Sequence, residues 1–195
     1  YEWSLKERPI PFLYEKPIYP TGITNCSEDI SFSGLLENKA CIIPPNSKAF
    51  VEIDMGELVT AYINIRIKSA AGGEKIKFLY SECYYNGYDA NNYPQKGIRD
   101  DYRNGFLWGE IDEYITCKGE QEYEPYFFRT FRYLRMSIET SGEAMEISSL
   151  AFRLTGYPLD IQGSFTAGDQ KIQKLWDISV RTLERCMHET FEDCP

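Results

Sequence analysis

The chain has 195 residues, of which 43% are hydrophobic, 26% charged and 15% aromatic, and its formal net charge is −9 at pH 7. A composition this apolar and aromatic excludes intrinsic disorder, and no run of about 18 apolar residues predicts a membrane-spanning helix. The excess of acids argues against nucleic acid or an anionic membrane as a partner, because binding either depends on clustered Lys and Arg.

The first 48 residues are rich in proline and predict short extended pieces joined by turns. Prolines at this density forbid long helices. They are Pro9, Pro11, Pro17, Pro20, Pro44 and Pro45. We therefore assign residues 1–48 to an irregular lead-in and linker.

Residues 49–165 carry the pattern of antiparallel strands. Residues 49–53 predict a strand and residues 54–56 a turn, after which the isoleucines of residues 58–68 alternate with polar residues. An alternation with a period of two is typical of a strand with one buried face and one wet face. A hairpin turn at residues 69–73 leads into a second such stretch, and the alternation returns four times further along. Short strands joined by turns predict an antiparallel β-sandwich.

Residues 82–110 interrupt this rhythm with several turn-forming pairs, such as Asn-Gly and Tyr-Pro. They predict a long excursion away from the sheet, and loops of this length in compact domains tend to be functional or mobile. Tyrosines in the excursion are candidates for stacking against a ligand, although tyrosines that anchor a loop to a sheet are the commoner case. They are Tyr84, Tyr85, Tyr88, Tyr93 and Tyr102.

The C-terminal segment predicts one amphipathic helix from Asp169 to about Glu189. Apolar side chains recur there at spacings of three and four residues, which places them in one stripe. They belong to Ile172, Leu175, Trp176, Val180, Leu183, Cys186 and Met187. A helix with so wide a stripe needs a partner, which could be the sandwich, a second copy of the chain, or further helices. Self-association through this helix is therefore one of the expected interactions.

No metal site and no cofactor is predicted. The chain has a single histidine and no Cys-x-x-Cys pair, whereas structural zinc sites need clustered thiolates or several imidazoles. The wide spacing of the cysteines favours buried small hydrophobes over disulfides. They are Cys26, Cys41, Cys83, Cys117, Cys186 and Cys194. The first eight residues lack the basic and apolar regions of a signal peptide, and the compartment is left open.

Two segments have both a functional and a structural interpretation. Residues 188–195 concentrate titratable side chains, which either form a site at a pocket or simply end a helix, with His188 complementing the helix dipole. Residues 125–134 are aromatic, and they either stack on a sugar or pack in the core, which is commoner. With 30 acidic residues in the chain, no catalytic pair of carboxylates can be chosen from the sequence.

The end of the chain, Glu192–Pro195, resembles the Asp-Cys-Pro motif of the α-L-rhamnosidases of glycoside hydrolase family 78. It follows a Gly-x-Phe segment at residues 163–165 and a helix with a Leu-Trp pair at residues 175–176, as in that family. Further segments that resemble the family occur in the right order upstream, at residues 50–56, 73–82, 112–115 and 125–134. The resemblance thus runs from about Phe50 to Pro195.

This resemblance implies a concanavalin-like β-sandwich of the jelly-roll type at residues 49–165, followed at residues 166–195 by the first helix of an (α/α)6 barrel. It implies a parent enzyme that releases terminal α-L-rhamnose with inversion, in which Asp193 binds the rhamnose hydroxyls. The partners it implies are rhamnosides and the rest of the barrel.

The resemblance also implies that these 195 residues are a fragment without hydrolase activity. In the family, the general acid is a glutamate three residues past the proline of Asp-Cys-Pro, and the base lies further downstream. Both would follow Pro195, and an inverting mechanism needs both. We therefore assign no catalytic residue within the chain.

Two alternatives from other classes are kept open. One is a stand-alone carbohydrate-binding sandwich whose helix folds back on its own sheet and whose loop tyrosines contact the sugar. The other is a purely structural sandwich that dimerises through the helix stripe.

Overall fold

The computed structural model describes residues 4–37 and 39–192. Residues 17–153 form one compact unit, and the described parts of residues 1–16 and 154–195 form a second. Asp193, the sequence-predicted substrate-binding residue, lies outside the described residues.

The first unit is built almost entirely of antiparallel strands, and a single α-helix follows in the second. Within the described residues the strands are β1 (Tyr14–Ile18), β2 (Gly22–Cys26), β3 (Cys41–Ile43), β4 (Lys48–Ser69), β5 (Lys75–Ser81), β6 (Tyr84–Tyr88), β7 (Pro94–Lys96), β8 (Phe106–Leu107), β9 (Glu110–Ile115), β10 (Gly119–Tyr123), β11 (Arg129–Glu139) and β12 (Met145–Gly156). The helix, α1, spans Gln170–Arg185, and a short 3-10 helix spans Ser33–Glu37. The predicted fold class, an antiparallel β-sandwich followed by one C-terminal helix, is confirmed.

The larger sheet has nine strands and runs β12-β4-β11-β5-β9 through its middle. The long strand β4 organises it, because its first half pairs with β2 and its second half with β10, while β11 pairs with both halves. The alternating isoleucines predicted on β4 are confirmed as core residues, since Ile63, Ile65 and Ile67 are at most 1% exposed. Burying such side chains is worth roughly 1.5–3 kcal/mol each.

The turn predicted at residues 54–56 is wrong, because β4 continues through it as a bulge. Val59 pairs with Phe131 and Asp54 with Tyr133, so four residues of β4 lie opposite one residue of β11. Gly56 accommodates the bulge with a φ of 84°, and its N–H donates to the Asp54 side chain at 2.7 Å. Turn-forming residues therefore bend this strand without ending it.

The proline-rich first 48 residues do form short extended pieces, but some of these belong to the larger sheet. Residues 22–26 pair with β4 and residues 41–43 pair with β12. The assignment of residues 1–48 to an irregular lead-in is corrected to that extent, because a strand hydrogen-bonded into a sheet is part of it. The boundary at residue 166 stays a prediction.

The helix of the second unit begins and ends with recognisable caps. Asp169 is the N-cap, and its side chain accepts the backbone N–H of Lys171 at 2.8 Å. The helix ends at Arg185, and the N–H of the C-cap residue, Cys186, donates to the carbonyl oxygens of Thr182 and Leu183. It is therefore one turn shorter than predicted.

No disulfide joins two of the described cysteines. Three of them, Cys41, Cys83 and Cys186, are buried, as small hydrophobic side chains are expected to be. The described residues contain no cluster of His, Cys, Asp and Glu that could hold a metal ion. Nor does the described part of the chain include a helix long and apolar enough to cross a membrane.

Candidate functional site

The excursion at residues 82–110 forms a small antiparallel sheet of its own, in the order β7-β6-β8. In its register Tyr85 lies opposite Lys96 on β7 and Phe106 on β8, and Tyr88 lies opposite Pro94. The excursion is therefore an ordered element with two faces, and its tyrosines divide between those faces.

One face anchors the excursion to the larger sheet through Tyr84. This side chain is 1% exposed; its hydroxyl donates to Glu52 Oε2 at 2.7 Å, and its ring lies 4.7 Å from that of Tyr133. Burial raises the pKa of Tyr84 far above its ordinary value, so the hydroxyl stays a donor. For Tyr84 the anchoring interpretation is confirmed.

Glu52 is a buried carboxylate at the centre of this anchor. Besides the Tyr84 hydroxyl it binds Arg135, whose Nη1 lies 2.5 Å from Oε1. Two further arginines of β11 also bind carboxylates, each through two hydrogen bonds. These pairs are Arg129–Asp112 and Arg132–Asp54. The three carboxylates hold β11 to β4 and β9, and Glu52 also joins β4 to the excursion, which is a structural role.

The other face of the excursion carries a row of four aromatic rings, which we call the aromatic strip: Trp108, Tyr85, Phe106 and Tyr88. Neighbouring ring centroids in this row are 5.8, 6.2 and 5.0 Å apart. Trp108 is 46% exposed and Tyr88 is 54% exposed, while Tyr85 is buried beneath them. The exposed rings give this surface the capacity to stack on a ligand.

Sequence reasoning found part of this surface. It singled out Tyr85, which is buried, and Tyr88, which is exposed, but it missed Phe106 and Trp108. A signal for these two was present, because residues two apart in an extended segment face the same way.

The segment after α1 forms a tight turn around His188. This residue is 2% exposed, and its Nδ1 lies 3.0 Å from Glu192 Oε2. The N–H of Glu192 returns to the carbonyl oxygen of Cys186 at 2.8 Å, and Glu189 forms an ion pair with Arg8. His188 is thus an internal residue of the turn, where the sequence had left open a site or a simple helix end. Asp193 follows this turn outside the described residues, and its role stays a prediction.

The comparisons with known proteins show that this chain, a β-sandwich followed by an amphipathic helix, is similar to parts of glycoside hydrolases. The particular enzymes it is similar to are α-L-rhamnosidases. Over 148 residues, 73% of the chain, it is 28% identical to an α-L-rhamnosidase of Formosa agariphila, of which it spans 14%. The resemblance inferred from the sequence is confirmed.

Two solved structures extend this similarity to the fold. The family 78 rhamnosidase of Bacillus sp. GL1 matches with a TM-score of 0.60 and 25% identity over 85% of the chain and 17% of that protein. A rhamnosidase from Klebsiella oxytoca, solved with rhamnose bound, matches with a TM-score of 0.64 and 15% identity over 94% of the chain and 37% of that protein. No protein-family model matches the chain.

Proposed function

We propose that the chain is the accessory β-sandwich segment of a glycoside hydrolase that releases terminal α-L-rhamnose with inversion. The observation that carries this proposal is its similarity to a curated α-L-rhamnosidase over 73% of its length. The chain spans only 14% of that relative, so the activity belongs to the longer protein. In this proposal the sandwich supports the catalytic barrel, of which α1 is the first helix.

The same proposal assigns the site residues. Asp193 binds rhamnose hydroxyls, and the general acid and base both follow Pro195. Inversion requires two carboxyl groups about 6.5–9.5 Å apart with a water between them. Glu52 and Asp54, two residues apart on β4, instead each bind an arginine of β11. We therefore expect no catalysis from the 195 residues alone.

The test compares the 195-residue chain with a version extended along its reading frame. The release of nitrophenol from an aryl α-L-rhamnoside should not exceed a buffer blank for the 195-residue chain, and it should be clear for the extended protein. Turnover by the 195-residue chain would overturn the assignment of the catalytic carboxylates. A reading frame without a glutamate three residues past Pro195, or a folded extended protein inactive on rhamnosides, would overturn the proposed parent enzyme.

A further inference from the structure

The aromatic strip is an open surface whose rings already stand in fixed positions. Tyr88 stacks on Phe106 with an angle of 22° between the ring planes, and Trp108 meets Tyr85 edge to face at 73°. Because the rings hold one another, a ligand would not have to order them, which lowers the entropic cost of binding.

The backbone beneath the strip is fixed as well. The Ser81 hydroxyl lies 2.8 Å from the carbonyl oxygen of Trp108. At Gly109 a Cβ atom would lie 1.9 Å from the carbonyl oxygen of Tyr80, so only glycine permits the chain to approach β5 this closely. Trp108 is therefore presented from a segment that is held closely against β5 of the larger sheet.

Polar groups border the strip on β7. Lys96 lies opposite Tyr85 and so shares its face of the small sheet. Its ammonium group lies 2.6 Å from Glu82 Oε2, and both side chains are about 40% exposed. An ammonium has three donors and a carboxylate about four acceptor positions, so the pair keeps hydrogen-bonding capacity for a ligand.

Tyr93 stands at the tip of the same small sheet, and it is 66% exposed. The Asp89 carboxylate accepts the backbone N–H groups of Asn91 and Tyr93 at 2.9 and 2.8 Å. Tyr93 therefore stands in a turn that the hydrogen bonds to the Asp89 carboxylate hold closed.

We infer that the aromatic strip binds a neutral oligosaccharide, with sugar C–H faces on Tyr88 and Trp108 and sugar hydroxyls on the Lys96–Glu82 pair. The electron-rich face of an aromatic ring attracts the C–H groups of a sugar, and the hydroxyls around the sugar edge need the bordering donors and acceptors. The charges of Lys96 and Glu82 cancel, so the border does not favour a charged ligand. The choice of a saccharide rests on the proposed function, which places the chain in an enzyme of glycosides.

The size of the strip also favours a sugar over a protein partner. A fully buried aromatic side chain covers about 150–250 Å², so two half-exposed rings offer roughly 200 Å². A stable protein interface buries about 800 Å² on each partner. The strip is therefore too small for such an interface, and its area suits a short oligosaccharide.

The test measures binding by the 195-residue chain, using calorimetry and tryptophan fluorescence with rhamnose-terminated oligosaccharides and with gluco-oligosaccharides of equal length. We expect saturable binding with a Kd on the order of 1 mM, as suits a small open site. Tyr88→Ala and Trp108→Ala should each weaken it at least tenfold, while Tyr88→Phe should keep most of the affinity. The matched control is Tyr126→Ala, because Tyr126 is 88% exposed and stands outside the strip.

The inference is supported if either oligosaccharide binds and if this binding is lost with Tyr88→Ala and kept with Tyr126→Ala. Absence of binding, or binding that Tyr88→Ala and Trp108→Ala leave unchanged, overturns it. Circular dichroism shows whether each variant is folded. Binding is measured without hydrolysis, so the two proposals can fail separately. If the 195-residue chain binds saccharide but the extended protein is inactive on rhamnosides, only the proposed function is contradicted.

Discussion

Glu74 is the residue that closes the hairpin between β4 and β5, and it is almost completely buried. Its carboxylate accepts the hydroxyl groups of Ser69, at 2.7 Å, and Thr116, and its own N–H donates to the Thr116 hydroxyl at 3.1 Å. Burial by itself raises the pKa of Glu74, but the hydrogen bonds from Thr116 and Ser69 outweigh it. The pKa therefore lies below its ordinary value.

Glu74→Gln should destabilise the chain in a pH-dependent way. A carboxyl group whose pKa is lowered on folding stabilises the fold above its unfolded pKa, about 4.3, and this contribution is lost as the pH falls through the folded pKa. We expect a loss of about 1–3 kcal/mol in the free energy of unfolding at pH 7 and a smaller loss below about pH 4. Urea unfolding across this pH range measures both. Exposed Glu143→Gln is the control, and an equal loss for Glu74→Gln at both pH values would contradict the prediction.

Single residues also show where the sequence stops being informative. Tyr84 and Tyr85 are adjacent in the sequence, yet one packs beside Glu52 in the core and the other lies beneath Trp108. The face of the small sheet on which each tyrosine lies depends on pairing with β7 and β8 and on Glu52, an acid 32 residues earlier in the chain. No local pattern contains this information. That the loop contains candidate tyrosines was predictable, but which of them are exposed was not.

Among the elements, β4 shows which features a local sequence pattern can predict and which depend on strand pairing. Its alternating isoleucines have the period of a strand, so their burial could be predicted from the sequence. Its continuation past Asp54 and Gly56 could not, because Asp-x-Gly is equally typical of a turn. The bulge exists because Val59 and Asp54 both pair with β11 while the residues between them face a single partner.

Gly56→Ala should therefore destabilise the sandwich by about 1–3 kcal/mol. A Cβ atom at Gly56 would lie 2.6 Å from the Thr21 methyl carbon, and the φ of 84° disfavours any other residue. Chemical denaturation measures the loss. Gly142→Ala is the matched control, because a Cβ atom there meets nothing within 4 Å and no positive φ is involved; its effect should stay within about 0.5 kcal/mol. Equal effects of the two substitutions would show that the bulge does not require glycine.

For the molecule as a whole, the fold class could be predicted because periods of two and of 3.6 are local properties of the sequence. The surface that would cover the apolar side of the helix, by contrast, is not a local property of the sequence. Much of the apolar stripe predicted on α1 is exposed, with Leu175 64% exposed and Ile172 49% exposed. The ring of Trp176 packs against that of Phe165, with 5.3 Å between the ring centroids. An exposed apolar stripe of this kind favours association with another apolar surface.

In solution, the 195-residue chain should self-associate through this stripe, and Leu175→Glu should prevent it. A charge in the middle of an apolar contact loses its hydration without gaining a partner, so we expect at least a tenfold weaker association. Gln170→Glu is the matched control, since it adds the same charge at an exposed residue on the opposite face of α1. Sedimentation equilibrium over a range of concentrations gives the mass of each variant. A monomeric mass for the unmodified chain at all concentrations, or equal weakening by both substitutions, would exclude association through the stripe.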